Sequence, residues 1–175
     1  MNDRRRYDAL VLIGPAGSGK SYLGTILHER GIASFRELEP LLRERFGSGR
    51  EFNARIREAG AFVWSSYQEQ LRQTGPTPVF GSAGVDDRPL LELLQRNHSI
   101  GFVHVDTPPE LCVERAVSRP PEGNINHTTD RERMRRYMDL WRAKIFPTYD
   151  YVLTVSGDDV EGTCRAIREL LGGGP

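Results

Sequence analysis

Residues 9–27 restrict the fold more than any other stretch of the chain. An unbroken apolar run, Ala9-Leu10-Val11-Leu12-Ile13, leads into Gly14-Pro15-Ala16-Gly17-Ser18-Gly19-Lys20-Ser21. Tyr22-Leu23-Gly24-Thr25-Ile26-Leu27 then continues with helical character. The middle segment satisfies G-x-x-x-x-G-K-[ST], the phosphate-loop pattern, between the strand and helix that this pattern requires. Its glycines let the backbone curl with N–H groups pointing inward, and the helix N-terminus adds a positive dipole end. Gly14, Ala16, Gly17, Ser18, Gly19 and the following Tyr22 are therefore expected to contact a nucleotide. Lys20 should reach the β- and γ-phosphates, and Ser21 should ligate the Mg²⁺ that accompanies ATP. Lysine usage sharpens the point: Lys20 and Lys144 are the only lysines, and arginine supplies the positive charge elsewhere. A compact ammonium, not merely a charge, is selected in the loop.

At 175 residues the chain is expected to form one domain, 1–175, with a real core. Its formal net charge is zero, which gives no support for bulk binding to nucleic acid or anionic membrane. No apolar run approaches membrane-spanning length. Arg4-Arg5-Arg6 precedes only a short apolar stretch that is needed as a strand, so the reading is a cytoplasmic protein without a signal peptide. Cys112 and Cys164 fall in helix-like segments and read as small buried hydrophobes in a reducing compartment. His28, His98, His104 and His127 are scattered and suggest no metal cluster.

Strand and helix signals alternate along the chain. Ile32-Ala33 reads as a very short second strand, and Ser34-Phe35-Arg36-Glu37 as a capping box opening a helix. Helical periodicity breaks at Gly47-Ser48-Gly49 and resumes over 51–72. Strands are expected at Val79-Phe80, over 99–105 and over 151–155. Helices are expected over 88–96, after a Thr107 cap, over 129–145 and over 159–171, with a disordered tail at 172–175. This order predicts an α/β fold: a three-layer P-loop NTPase architecture, its parallel β-sheet covered by helices on both faces, with ligands at the carboxyl ends of the strands.

In this order and spacing the chain resembles the shikimate-kinase-like branch of small P-loop kinases, a group that includes gluconate and nucleoside kinases. The resemblance covers nearly the whole chain, although only the phosphate loop is specific by itself. It implies that Glu37 and Glu39, in Phe35-Arg36-Glu37-Leu38-Glu39, stand where the family has an acidic D-x-D motif. Glu37 would then support Mg²⁺ and Glu39 would contact or activate the acceptor hydroxyl; the alternative is a capping residue and a solvated helix charge. It also implies a short lid at about 119–127. Arg115 would pack on adenine, Arg119 would close over the phosphates, and Arg142 would reach toward the acceptor or the transferred group. Ser156, in Val155-Ser156-Gly157-Asp158, would border the adenine ring. Two departures matter. Val63 stands where the family's acceptor-gripping arginine should be, and Gly81-Ser82-Ala83-Gly84 only loosely matches its glycine triplet. Asp86 and Asp87, just beyond, read as an acidic pair at a helix start.

The function these readings favour is ATP-dependent phosphoryl transfer to a hydroxyl of a small-molecule acceptor other than shikimate. A nucleoside or nucleotide kinase is the second reading, with Phe62, Trp64 and Tyr67 able to stack a base or serve the core. A nucleotide-binding regulatory ATPase is the third. The expected partners are nucleotide and acceptor, with no membrane or nucleic acid; a homodimer stays open.

Overall fold

The computed structural model describes residues 7–122, 125 and 127–172. Five strands, β1 (Ala9–Ile13), β2 (Ser34–Phe35), β3 (Pro78–Ser82), β4 (Ile100–Asp106) and β5 (Tyr151–Ser156), form one sheet in the order β2-β3-β1-β4-β5. Every pairing is parallel. β1 lies at the centre and is wholly buried, which explains why its sequence is apolar without alternation.

Successive residues of a strand point to opposite faces, and this periodicity divides the core in two. Ala9, Val11 and Ile13 join Phe80, Ile100 and Phe102 on one face. There they pack beneath α4 (Ile56–Arg72) and α5 (Arg88–Asn97), through Tyr67, Leu91 and Leu94. Leu10 and Leu12 join Val79, Val103, Val105 and Val155 on the other. That face is covered by α1 (Lys20–Glu29) and α8 (Val160–Leu170), through Leu23, Leu27, Cys164 and Ile167. Two satellite clusters complete the packing. One joins α2 (Glu39–Phe46), α3 (Gly49–Ala54) and α4; the other joins α6 (Pro109–Val117) to α7 (Arg131–Leu140). Both cysteines are free and buried. Among the described residues no helix is long and apolar enough to cross a membrane.

Several local expectations are corrected. The second strand forms at Ser34–Phe35, where the Ser34 amide donates to Thr77 O at 2.9 Å, and not at Ile32-Ala33. α2 begins only at Glu39, so Ser34 and Glu37 make no capping box: strand pairing overrides the local signal. The helix expected over 51–72 is interrupted at Arg55. Thr107 caps nothing. Its hydroxyl donates instead to Ser18 O at 2.9 Å, while Pro108 precedes α6. α7 begins at Arg131 and not at 129, with Asp130 as its cap accepting from the Arg133 amide at 3.0 Å. The last turn of that segment, Trp141–Ile145, is π-helical. Parts of the expected lid (123, 124 and 126) and of the tail (173–175), like Met1–Arg6, lie outside the described residues.

Candidate active site

All five strands end at one edge of the sheet, and the loops that follow β1, β3, β4 and β5 meet there. Gly14–Gly19 turns back under itself, with the Ser18 amide donating to Pro15 O at 3.2 Å. Gly17 and Gly19 hold φ of 82° and 96°, a left-handed backbone that L side chains rarely adopt. Two neighbours press on this turn. The Cys112 backbone of α6 lies directly against Gly17, and Gly157 fits between Thr107 and Ser18 O. Ala16 packs among the side chains joining α6 and α7. The loop is thus clamped from β4, β5 and α6, in a shape that leaves α1 starting at Lys20.

Lys20 folds back onto the loop. Its Nζ donates to Gly14 O at 2.7 Å, Pro15 O at 2.8 Å and Ser18 Oγ at 3.3 Å. Burial and then the Arg119 guanidinium push its pKa down to about 8, against the opposing pull of Cys112, Glu39 and Asp87. Below pH 8 Lys20 is an ammonium ready for phosphate; above it, binding a polyphosphate must first restore the proton. Affinity for a non-hydrolysable ATP analogue should therefore fall as pH rises through 8, approaching about tenfold per pH unit. Titrations from pH 7 to 10 that show constant affinity would contradict this.

A cavity of about 600 Å³ opens beside the loop, lined among others by Gly17, Gly19, Tyr22, Arg115, Arg119 and Asp158. Arg115 on α6 donates to Asp158 Oδ1 at 2.7 Å across its wall, which fixes the guanidinium. Ser156 sits one step behind, its hydroxyl accepting from the Asp158 amide at 3.2 Å. The Arg119 carbonyl is held by the His127 ring at 2.9 Å.

β3 passes close to Lys20 at Gly81 and leads into the loop that follows it. The Trp141 indole donates to Ala83 O at 2.7 Å, and the Tyr149 hydroxyl to Gly84 O at 2.8 Å. The π-turn sets Trp141 at 2% exposure. Trp141→Phe would leave that carbonyl short of a donor, so a loss of about 1–3 kcal/mol in urea unfolding is expected. An unchanged midpoint would show the bond to be dispensable.

The expected site residues are not all brought together. Gly17 and Gly19 of the phosphate loop, Tyr22, Arg115 and Arg119 line one cavity, and Arg119 and Glu39 both act electrostatically on Lys20. The Glu39 Oε1 accepts from the Ile125 amide at 3.1 Å, joining the start of α2 to the segment after α6. Ser21 occupies the second position of α1. Glu37 is exposed on the loop ahead of α2. Arg142 lines a separate cavity of about 390 Å³ with His104, Asp106, Trp141 and Phe146. Val63 is packed against two core clusters, and Tyr67 lies on Phe80 with ring centroids 4.2 Å apart. Asp87, read from sequence as part of an ordinary acidic helix start, proves to be an inward-turned carboxylate that accepts from Ser82 Oγ at 2.7 Å. Its signal was the Ser82 five residues earlier, which becomes meaningful only once the loop is folded.

This arrangement defines a P-loop fold of the five-stranded parallel type. Within that class the fold is that of the shikimate kinases. Shikimate kinase from Acinetobacter baumannii, in complex with shikimate, superposes with a TM-score of 0.66 at 18% identity, covering 93% of this chain and 91% of that one. The Aquifex aeolicus enzyme gives 0.63 at 20% identity, over 95% and 99% of the two chains. The Bacteroides thetaiotaomicron enzyme gives 0.60 at 15%, over 94% and 98%. No sequence model of a protein family matches the chain. No curated protein matches it by sequence.

Proposed function

We propose that this chain is an ATP-dependent phosphotransferase that delivers the γ-phosphoryl group to a hydroxyl of a small-molecule acceptor other than shikimate. The observation that carries the reading is Lys20, its Nζ held on the phosphate loop and its stem close to Gly81 of β3. A cavity opens beside the phosphate loop, and the Gly81–Gly84 loop beyond β3 has its carbonyls fixed by Trp141 and Tyr149. A nucleotide in the first and a hydroxyl at the second would meet at Lys20, as in-line transfer requires.

The residues present fit ATP: a glycine-formed cradle, a helix N-terminus, and Arg115 and Arg119 on the cavity wall. Among the described residues no group of three or more His, Cys, Asp or Glu could hold a metal by itself. The donor set therefore fits Mg²⁺ that arrives chelated by nucleotide, with Ser21 as a protein ligand and Glu37 as an outer support. Held there, the ion would supply positive charge to neutralise the phosphates. Lys20 and Arg119 stabilise the spread negative charge, Glu39 orients the acceptor hydroxyl, and Arg142 swings from its cavity toward the acceptor. Arg115 and the Ser156 turn flank the base.

Val63 supports the acceptor assignment. A valine half-buried against the core cannot fork two hydrogen bonds to a carboxylate, and a charged hydrogen bond is worth roughly 1.5–3 kcal/mol. Shikimate would lose about tenfold to more than a hundredfold in affinity. Phe62 is spent on Phe46 at 5.9 Å, and Tyr67 on Phe80, which favours a non-nucleoside acceptor. The test is ATP consumption over a library of hydroxylated metabolites and nucleosides, shikimate included, each against an acceptor-free blank. Stimulation by one acceptor class other than shikimate is expected. Efficient saturable turnover with shikimate would overturn the acceptor assignment, and stimulation by a nucleoside would favour the second reading.

A further inference from the structure

The cavity of about 390 Å³ at the ends of β4 and β5 shares no lining residue with the one beside Arg115. The phosphate loop contributes to both, through Pro15 here and through Gly17 and Gly19 there. Its floor is made of buried rings. His104 and Trp141 are 8% and 2% exposed and stack with planes 17° apart, their centroids at 6.0 Å. Phe146 meets the same imidazole at 4.7 Å, and Met138, also buried, lines the cavity with them. The rim is different. Asp106 and Arg142 line it from exposed positions. Among the described residues neither the Asp106 carboxylate nor the Arg142 guanidinium has a hydrogen bond or an ion pair, and the His104 ring nitrogens have no hydrogen bond. Other arginines are tied: Arg30 to Glu161, Arg88 to Glu92, Arg115 to Asp158 and Arg135 to Glu110. Burial lowers the His104 pKa, with Asp106 opposing and Arg142 assisting, so the ring offers a neutral face.

A floor of rings with one charge of each sign at the mouth suits one kind of molecule. A flat ring would lie against His104, Trp141 and Phe146. A carboxylate would take the Arg142 fork, and an ammonium next to that carboxylate would take Asp106. We propose that this cavity binds a small zwitterion, a flat apolar ring that carries a carboxylate and an ammonium together at one end. A ligand with only one of these charges leaves the other rim group unpaired and of the same sign as its own head group. The kinase reading moves Arg142 out of this cavity toward the acceptor, so an occupant would oppose that movement. Binding itself requires neither nucleotide nor turnover.

The probe is L-phenylalanine, with 3-phenylpropionate and phenethylamine as the same skeleton lacking one charge. Carbon-13 labelling of the methionine methyls in the full chain reports binding, because Met138 lines the cavity whereas Met134 packs between α6 and α7 outside it. L-Phenylalanine should shift the Met138 methyl saturably and leave Met134 nearly unmoved. Each single-charge analogue should bind about tenfold more weakly or worse. Arg142→Gln should weaken L-phenylalanine by about tenfold to a hundredfold, and Arg115→Gln, in the other cavity, should not. Absence of a saturable Met138 shift overturns the proposal. Equal binding of the three probes does so too, because the rim charges would then have no role. A loss in Arg115→Gln that Arg142→Gln does not show would place the ligand beside the phosphate loop and equally overturn it. None of these results bears on phosphoryl transfer, so the kinase reading stands or falls separately.

Discussion

Replacing Lys20 with methionine is expected to lower the rate of acceptor-dependent ATP turnover on the order of a hundredfold or more. Nζ is held at the centre of the loop by Gly14 O, Pro15 O and Ser18 Oγ, so the donor is in place before nucleotide arrives. Removing one preorganised donor from a transition state that spreads negative charge commonly has an effect of that size. Methionine matches the length and apolar stem of lysine, so the substitution tests the charge and the donors more than the packing. A folded Lys20→Met protein with nearly full activity in a coupled ADP assay would remove the basis of the kinase reading.

The largest structural effect is expected at Gly17. Its φ of 82° disfavours any L side chain, and an added methyl would overlap the Cys112 backbone carbonyl. That carbonyl belongs to α6 and cannot retreat as a flexible side chain could. Left-handed strain of about 1–2 kcal/mol and overpacking of about 1–3 kcal/mol act together, so Gly17→Ala should lose about 2–5 kcal/mol in urea unfolding. Gly49→Ala is the comparison, because Gly49 is also left-handed, at 54°, but nothing lies within 4 Å of a methyl there. If the two variants unfolded alike, the clamp between α6 and the phosphate loop would have no energetic weight.

Where the sequence was legible, one local rule sufficed. The strand, glycine loop and helix of residues 9–27 carry their own pattern, and the parallel sheet followed from the alternation of elements. Where it misled, a tertiary partner outbid a local one. Ser34 and Glu37 spell a capping box, but Thr77 O captures the Ser34 amide into the sheet. Thr107 looks like a helix cap, but Ser18 O, 89 positions away in sequence, takes its hydroxyl. Asp87 looks like one more acidic residue at a helix start until Ser82 and Tyr67 are seen to receive it. The arginines show the same limit. Arg115 and Arg119 reach the cavity beside the phosphate loop, while Arg142, from a segment equally rich in arginine, is carried by the π-turn to another. Spacing along a helix did not show that the last turn would be π.

Phosphorus-31 spectroscopy of a reaction containing ATP, Mg²⁺ and the stimulating acceptor tests the central claim most directly. Phosphoryl transfer requires a new phosphate-ester resonance growing in step with ADP, with little inorganic phosphate, and both signals suppressed in Lys20→Met. Inorganic phosphate growing in step with ADP, with no ester at any acceptor tried, would make the chain a hydrolase and contradict the account.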